Sequence, residues 1–445
     1  MEIRRKVEDE LLAWKKRPSR QPLLLLGARQ VGKTFTAHHF GRQHFAKLVT
    51  ANFQADLARL RPLFDASLEP DRIIEDLGYL TETAITAQDT LIIFDEIQLC
   101  PPALTALKYF AERAPQYAII ATGSLFGVSI HREEHYTFPV GKVDTLQMHP
   151  LDFEEYLWAQ GMELHAEGIR RAVERCERFA AHDDMVRQVR RYMMTGGLPR
   201  VVTTYIETKD WSETRRVQRD LALLYAADMA LYADPVDSVR TRAIWESAPR
   251  QLARDTSRKF KLADMKSGAR FHQYDAGFAW LEAAGLVQRH YQAEVPFAPL
   301  RARDDGTFFK VYLFDTGILA TQLGMSAQVF CSDQGYTRIA SSFCGGIAEN
   351  YVKQALTCAG LNSMYWSSGN AAEIDFLTVD DTMVVVPMEV KSADTIRSRS
   401  LDSYRQHYHP PRAIRLSMKN VGQEDGLVSL PLYSAFCLPD VLRSR

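Results

Sequence analysis

Short, unbroken apolar runs alternate, over the first third of the chain, with stretches whose apolar residues recur every three or four positions. Leu23 to Leu26 is such a run, Thr90 to Asp95 and Gln116 to Ser124 are apolar at their centres, and Lys47 to Phe53 and Val143 to Met148 read as two further strands. Runs of this length read as strands covered on both faces, as a parallel sheet requires. Helix-like sequence lies between them: an amphipathic stretch before Pro18-Ser19-Arg20, the residues after Thr34, a charged stretch reaching Gln88, and LTALKYFAERA. Strand and helix in alternation predict an α/β fold built on a doubly wound parallel sheet.

Beyond residue 150 the pattern changes. Residues 151–250 are largely helical, broken at Gly196-Gly197-Leu198-Pro199, which reads as a helix C-cap and turn. Arg215 to Leu231 forms one strongly periodic helix, whose basic start reads as a solvated face. Residues 251–330 give a short helix, a turn, a longer helix closing on Gly285 and a return strand from Phe308 to Phe314. That order is the order of a winged-helix module, a unit that docks DNA by its second helix or serves as a protein contact. The last third runs helix (GGIAENYVKQAL), strand (SMYWSS), strand from Glu373, a turn at Asp380-Asp381, and the strand MVVVPMEVK. The expected domains are therefore an α/β core (1–160), which the motifs below make a P-loop core, a helical, lid-like extension (161–250), a winged-helix-like module (251–330) and a C-terminal α/β domain (331–445).

Composition narrows the class. Hydrophobic residues make up 46% of the 445 and charged residues 24%, ordinary for a globular chain with a real core. The net charge of -1 excludes a global basic field, so any nucleic-acid surface is a local patch. Six cysteines are scattered without a C-x-x-C pair, which fits reduced thiols and a cytoplasmic protein better than disulfides or structural zinc. No apolar stretch approaches the ~18 residues of a membrane span, and the charged start is unlike a signal peptide.

The chemistry begins where the first strand ends. Gly27-Ala28-Arg29-Gln30-Val31-Gly32-Lys33-Thr34 fits G-x-x-x-x-G-K-[ST], between a strand and a helix. Glycines let backbone N–H groups close around phosphate oxygens, and the following helix adds positive partial charge. Lys33 is expected on the β- and γ-phosphates and the Thr34 hydroxyl on Mg²⁺. Asp95 and Glu96 end the third strand in the Walker B manner, Asp95 holding the Mg²⁺ shell and Glu96 acting as general base toward the attacking water. Ser124, ending QYAIIATGS, is placed as a γ-phosphate sensor or as a helix cap. Arg113, Arg132, Lys142 and Arg200 are the available cationic residues for completing such a site. No N-K-x-D guanine signature appears, which favours ATP over GTP.

A second constellation lies near the C-terminus. Glu349 sits on a helix, Asp375 on a strand, and Glu389-Val390-Lys391 on the next strand, where a period of two puts Glu389 and Lys391 on one face. Glu349, Asp375 and Glu389 are the expected ligands of a divalent cation, Mg²⁺ or Mn²⁺, with Lys391 stabilising the attacking water or the developing phosphate charge.

GARQVGKT, LIIFDEIQ, ATGS, HPLDFEEYL, GGLP, LFDTG and the AEN…EIDF…EVK series together resemble a widespread prokaryotic family of AAA-type ATPases. The resemblance covers nearly the whole chain. It implies an AAA-like core with a winged-helix element, and a C-terminal domain similar to the PD-(D/E)xK nuclease superfamily. The family usually carries Gly-Arg before HPLDFEEYL, where this chain has Gly141-Lys142, and lysine lacks the bidentate fork of arginine. Two readings follow. In one, an ATP-hydrolysing protein uses its nucleotide state to control a DNA-interacting, nuclease-like domain. In the other, an ATP-dependent switch carries a catalytically inactive C-terminal domain that binds DNA or a protein partner. A second copy of the chain is a further expected partner, and a membrane is not.

Overall fold

The computed structural model describes residues 2–124, 138–232, 235–254, 258–300, 306, 308–369, 372–393 and 398–443. The chain divides into two compact units, one of residues 4–149 and 283–285, the other of residues 1–3, 150–282 and 286–445.

The first unit runs α1 (Val7–Lys16), β1 (Leu23–Leu26), α2 (Lys33–His44), β2 (Lys47–Asn52), α3 (Leu57–Ala66), α4 (Pro70–Leu80), β3 (Thr90–Asp95), α5 (Pro101–Arg113), β4 (Ala118–Thr122) and β5 (Asp144–Gln147). Its five strands form one sheet in the order β2-β3-β4-β1-β5, and every pairing is parallel. Each residue of β3 and β4 is buried, as their unbroken apolar runs require. Phe53, Phe64 and Phe94 meet edge to face, with ring centroids 5.6 to 6.0 Å apart, against the sheet. This aromatic packing adds directional preference to simple burial.

Parallel strands put all their C-terminal ends at one edge, where α/β sheets present their ligand sites. Gly27, Asn52, Asp95 and Thr122 therefore share that edge. Arg113 ends α5, the helix that returns from β3 to the start of β4, and Lys142 lies just before β5, whose first residue pairs with the first residue of β1. Both belong to the opposite edge. Arg113 is paired with Glu69, and Lys142 Nζ lies 3.0 Å from Glu112 Oε1. Neither of these two candidate cations lies at the phosphate edge of its own sheet. Arg132 lies outside the described residues, and Arg200 is exposed on the Pro199–Thr208 helix of the other unit.

The second unit opens with six helices between Phe153 and Leu252. The first of them starts on a capping box, in which the Asp152 carboxylate accepts from Glu155 N while the Glu155 carboxylate accepts from Asp152 N. The helix Asp275–Ala283 follows, then β6 (Val287–Ala293), β7 (Phe309–Leu313), the helix Ser341–Cys358, and β8 (Met364–Ser367), β9 (Glu373–Val379), β10 (Val385–Val390), β11 (Ala413–Ser417), β12 (Gly422–Glu424) and β13 (Leu427–Pro431). The eight strands make one sheet, β12-β13-β11-β10-β9-β8-β6-β7. β8, β9 and β10 are an antiparallel meander, and β10 runs parallel to β11 after the crossover helix Arg399–Tyr408. β6 pairs antiparallel with β7 and, along its other edge, parallel with β8. Strands from both sides of residue 330 thus share one sheet, because β6 would otherwise leave its edge unpaired. Among the described residues no helix is long and apolar enough to cross a membrane.

Candidate functional site

The loop from Gly27 to Thr34 links β1 to α2. Its backbone turns through left-handed conformations at Gln30 and Gly32, with φ of 65° and 98°. Gly27 is required by space as well, since a Cβ there would lie 2.2 Å from the Met148 carbonyl oxygen. Lys33 folds back into the loop, its Nζ donating to the carbonyls of Gly27 and Ala28, each at 2.8 Å. Burial pushes the Lys33 amine down to about 8. From the other side Arg5, itself buried, donates to Val31 O at 3.0 Å and to His149 O at 2.7 Å, bracing the loop.

Asp95 faces this loop across the sheet edge. Its Oδ1 accepts from the Thr34 hydroxyl at 2.7 Å and from the Thr122 hydroxyl, and its Oδ2 accepts from Asn52 Nδ2 at 2.8 Å. Asn52, Asp95 and Thr122 end β2, β3 and β4, so sheet register alone brings them together. Glu96 sits in the left-handed region at φ 55°, uncommon for a residue with a side chain, and its carboxylate accepts from Gln98 Nε2. Ser124 is buried and its hydroxyl accepts from Arg29 Nε at 3.3 Å. The structure thus joins Thr34 with Asp95 and Arg29 with Ser124, and adds Asn52, Thr122, Gln98 and Arg5. Asn52 was findable as the polar end of the KLVTAN strand, whereas Arg5 left no signal.

The C-terminal acids occupy the second unit. Asp375 and Glu389 are cross-strand neighbours, and Val390 N donates to Asp375 Oδ2 at 2.8 Å. Lys391 Nζ lies 2.7 Å from Glu389 Oε1. Burial pushes the Glu389 carboxyl up to about 7, and its Oε2 is buried with no hydrogen-bond partner. Glu349, expected as the third metal ligand, is committed elsewhere. Arg258 binds its Oε1, while the Tyr312 hydroxyl lies 3.0 Å and Lys310 Nζ 3.5 Å from its Oε2. Lys310 Nζ also lies 2.7 Å from Glu373 and 3.9 Å from Asp375. Glu349, Asp375 and Glu389 are therefore not gathered as a ligating trio, and among the described residues no three His, Cys, Asp or Glu side chains form a set that could hold a metal ion. The physical reason is that basic side chains already neutralise Glu349. Lys310 stands out in sequence as one lysine inside the apolar run FFKVYLF.

Comparison with known proteins bears on each part separately. Residues 19–157 match the family described as an AAA domain. With the all-parallel sheet and the loop geometry, this makes the first unit a P-loop domain of the AAA type. Residues 186–329 and 344–434 match two domains of unknown function, DUF8612 and DUF4143. No curated protein matches the chain. Similar solved structures include a Walker-type ATPase of Pyrococcus abyssi, 15% identical, covering 72% of this chain and 96% of that one, with a TM-score of 0.42. The ORC2 protein of Aeropyrum pernix is 12% identical over 76% of this chain and 94% of its own, with a TM-score of 0.35.

Outside the AAA domain, two further motifs meet in the second unit. Gly196 caps the His182–Thr195 helix, and Gly197 N donates to Asp315 Oδ2 at 2.6 Å. Asp315 Oδ1 accepts from Ile318 N at 2.9 Å, capping the Thr316–Gln322 helix. GGLP and LFDTG thus form one buried backbone-to-carboxylate joint, and burial raises the Asp315 carboxyl to about 6.

Proposed function

We propose that this chain binds and hydrolyses ATP with Mg²⁺ in its AAA domain, and that its nucleotide state controls a DNA-interacting, nuclease-like C-terminal domain. The observation that carries the first half is the convergence of Lys33, Thr34, Asp95 and Glu96 at one sheet edge, with Asp95 held on both oxygens. Thr34 and Asp95 suit Mg²⁺, since their oxygens already meet at 2.7 Å and Asp95 is fixed by two further donors. When bound, the ion supplies charge to the β- and γ-phosphates. Lys33 exchanges the Gly27 and Ala28 carbonyls for phosphate oxygens. Glu96, swung from Gln98, takes the proton of the attacking water as the water oxygen bonds to the γ-phosphorus and the bond to the β-phosphate oxygen breaks, releasing ADP.

The C-terminal half of the proposal is supported by the helix–meander–helix–strand order around β8 to β11 and by the paired carboxylates of Asp375 and Glu389 beside Lys391. The partnerless Glu389 Oε2 fits a cation at that pair. A second reading, that this domain binds DNA or protein without cutting, is favoured by the neutralisation of Glu349 by Arg258 and Lys310.

One experiment separates these readings. The protein is incubated with plasmid DNA, Mg²⁺ or Mn²⁺ and ATP, beside Lys33→Ala and Asp375→Ala. The proposal expects Lys33→Ala to lose ATP hydrolysis, and Asp375→Ala to keep hydrolysis and lose DNA cleavage. Hydrolysis without any cleavage supports the binding domain. Cleavage that survives Asp375→Ala contradicts the acid-pair assignment.

A further inference from the structure

Lys310 is the one cation that enters the C-terminal acid cluster from β7, and it is fully buried. Its Nζ stands 2.7 Å from Glu373 Oε1, 3.5 Å from Glu349 Oε2 and 3.9 Å from Asp375 Oδ1, with the Tyr365 ring 5.2 Å away. A lysine removed from water keeps its charge only where carboxylates compensate it. Here three do. Glu349 is held further by Arg258, whose guanidinium passes close to Gly345, where a Cβ would lie 2.5 Å from Nη2. On the far side of Asp375 the arrangement differs. Glu389 gives Oε1 to Lys391 and leaves Oε2 buried without a partner.

We infer that Lys310 is the built-in cation of this site, filling the position between Glu349 and Asp375 that a bridging divalent ion would need. The inference rests on the reading that Asp375 and Glu389 take a divalent cation. Mg²⁺ and Ca²⁺ bind carboxylate oxygens at roughly 2.0–2.6 Å. An ion at such distances from both Glu349 and Asp375 would stand against the Lys310 ammonium, whose like charge repels it. The cluster therefore divides into two halves. Lys310, Arg258, Glu349 and Glu373 form a closed, fixed-charge half that holds β7 and the Ser341–Cys358 helix against β9. Asp375 and Glu389 form an open half with room in its bonding for one ion. An ammonium has no open coordination position and cannot activate a bound water as a metal does. Lys310 is thus a positioning residue, and Glu349 is its partner rather than a metal ligand.

The test is Mn²⁺ binding to the nucleotide-free full chain, followed by the electron paramagnetic resonance signal of free Mn²⁺. Wild type, Glu349→Gln, Glu389→Gln and Lys310→Met are compared, with circular dichroism as the check on folding. Sites lost in Glu389→Gln are the C-terminal ones. The inference expects Glu349→Gln to keep them within about twofold, where loss of a direct ligand would weaken binding by at least the 10–100-fold seen for second-shell partners. It expects Lys310→Met to tighten Mn²⁺ binding or to add a second ion. A tenfold or greater weakening in Glu349→Gln overturns it, as does unchanged binding in a folded Lys310→Met. If Lys310→Met does not fold, Glu349→Gln still decides. If wild type binds no Mn²⁺ at the Glu389-dependent site, the cation reading of Asp375 and Glu389 fails. Mn²⁺ gained by Lys310→Met would then still support Lys310 as the built-in cation, and none gained would overturn it.

Discussion

Asp95 shows how much of a site one residue can organise. Two of its three donors, Asn52 and Thr122, sit outside both phosphate-binding motifs and act on the carboxylate from neighbouring strand ends. A hydrogen bond to a charged group contributes about 1.5–3 kcal/mol. Asn52→Ala is therefore expected to slow ATP hydrolysis by about tenfold or more, with a smaller change in nucleotide affinity, as read by steady-state kinetics beside equilibrium binding. Equal losses in both would mean that Asn52 acts on binding alone. Asp315 offers a test of a different kind. Burial raises its carboxyl from the ordinary 3.8 to about 6. Between those values the folded chain keeps a proton that the unfolded chain has released, so this group's share of stability falls as pH rises through the window. Thermal midpoints across that window should decline in wild type and decline less in Asp315→Asn.

At the scale of elements, local signals proved the most readable. β1, β3 and β4 follow the apolar runs closely, β2 and β5 lie where strands are expected though only partly buried, and the phosphate loop is contiguous in sequence, so its geometry was predictable from type and spacing. The Asp152 capping box is similarly local. Asp152→Ala is expected to cost about 1 kcal/mol, lowering the melting temperature of its unit by roughly 1–2 °C at this size, with ATP hydrolysis retained. What the sequence hid is non-local. Arg258 and Lys310 reach Glu349 from 91 and 39 residues away, and only the sheet and the helix packing bring them there. For that reason Glu349 read as a metal ligand when its neighbours were unknown. The pairing of β6 with β8 was equally invisible, because short apolar strands do not reveal which edge they will join.

At the scale of the whole molecule, two units carry two charged sites of different character. The AAA domain offers a loop of backbone donors and a lysine resting on replaceable carbonyls, while the C-terminal sheet holds its acids largely against resident cations. On the proposed reading the first arrangement serves exchange with a ligand, and the second keeps fixed charge on one side and takes one ion on the other. The central claim is that the AAA domain hydrolyses ATP with Glu96 as its base. Single-turnover hydrolysis of ATP by wild type and Glu96→Gln, with binding measured on the same samples, tests it most directly. The account predicts unchanged ATP affinity and a rate lowered by about 10²–10⁴-fold, the usual worth of a general base. Hydrolysis at the wild-type rate in Glu96→Gln, or none in wild type, would contradict it.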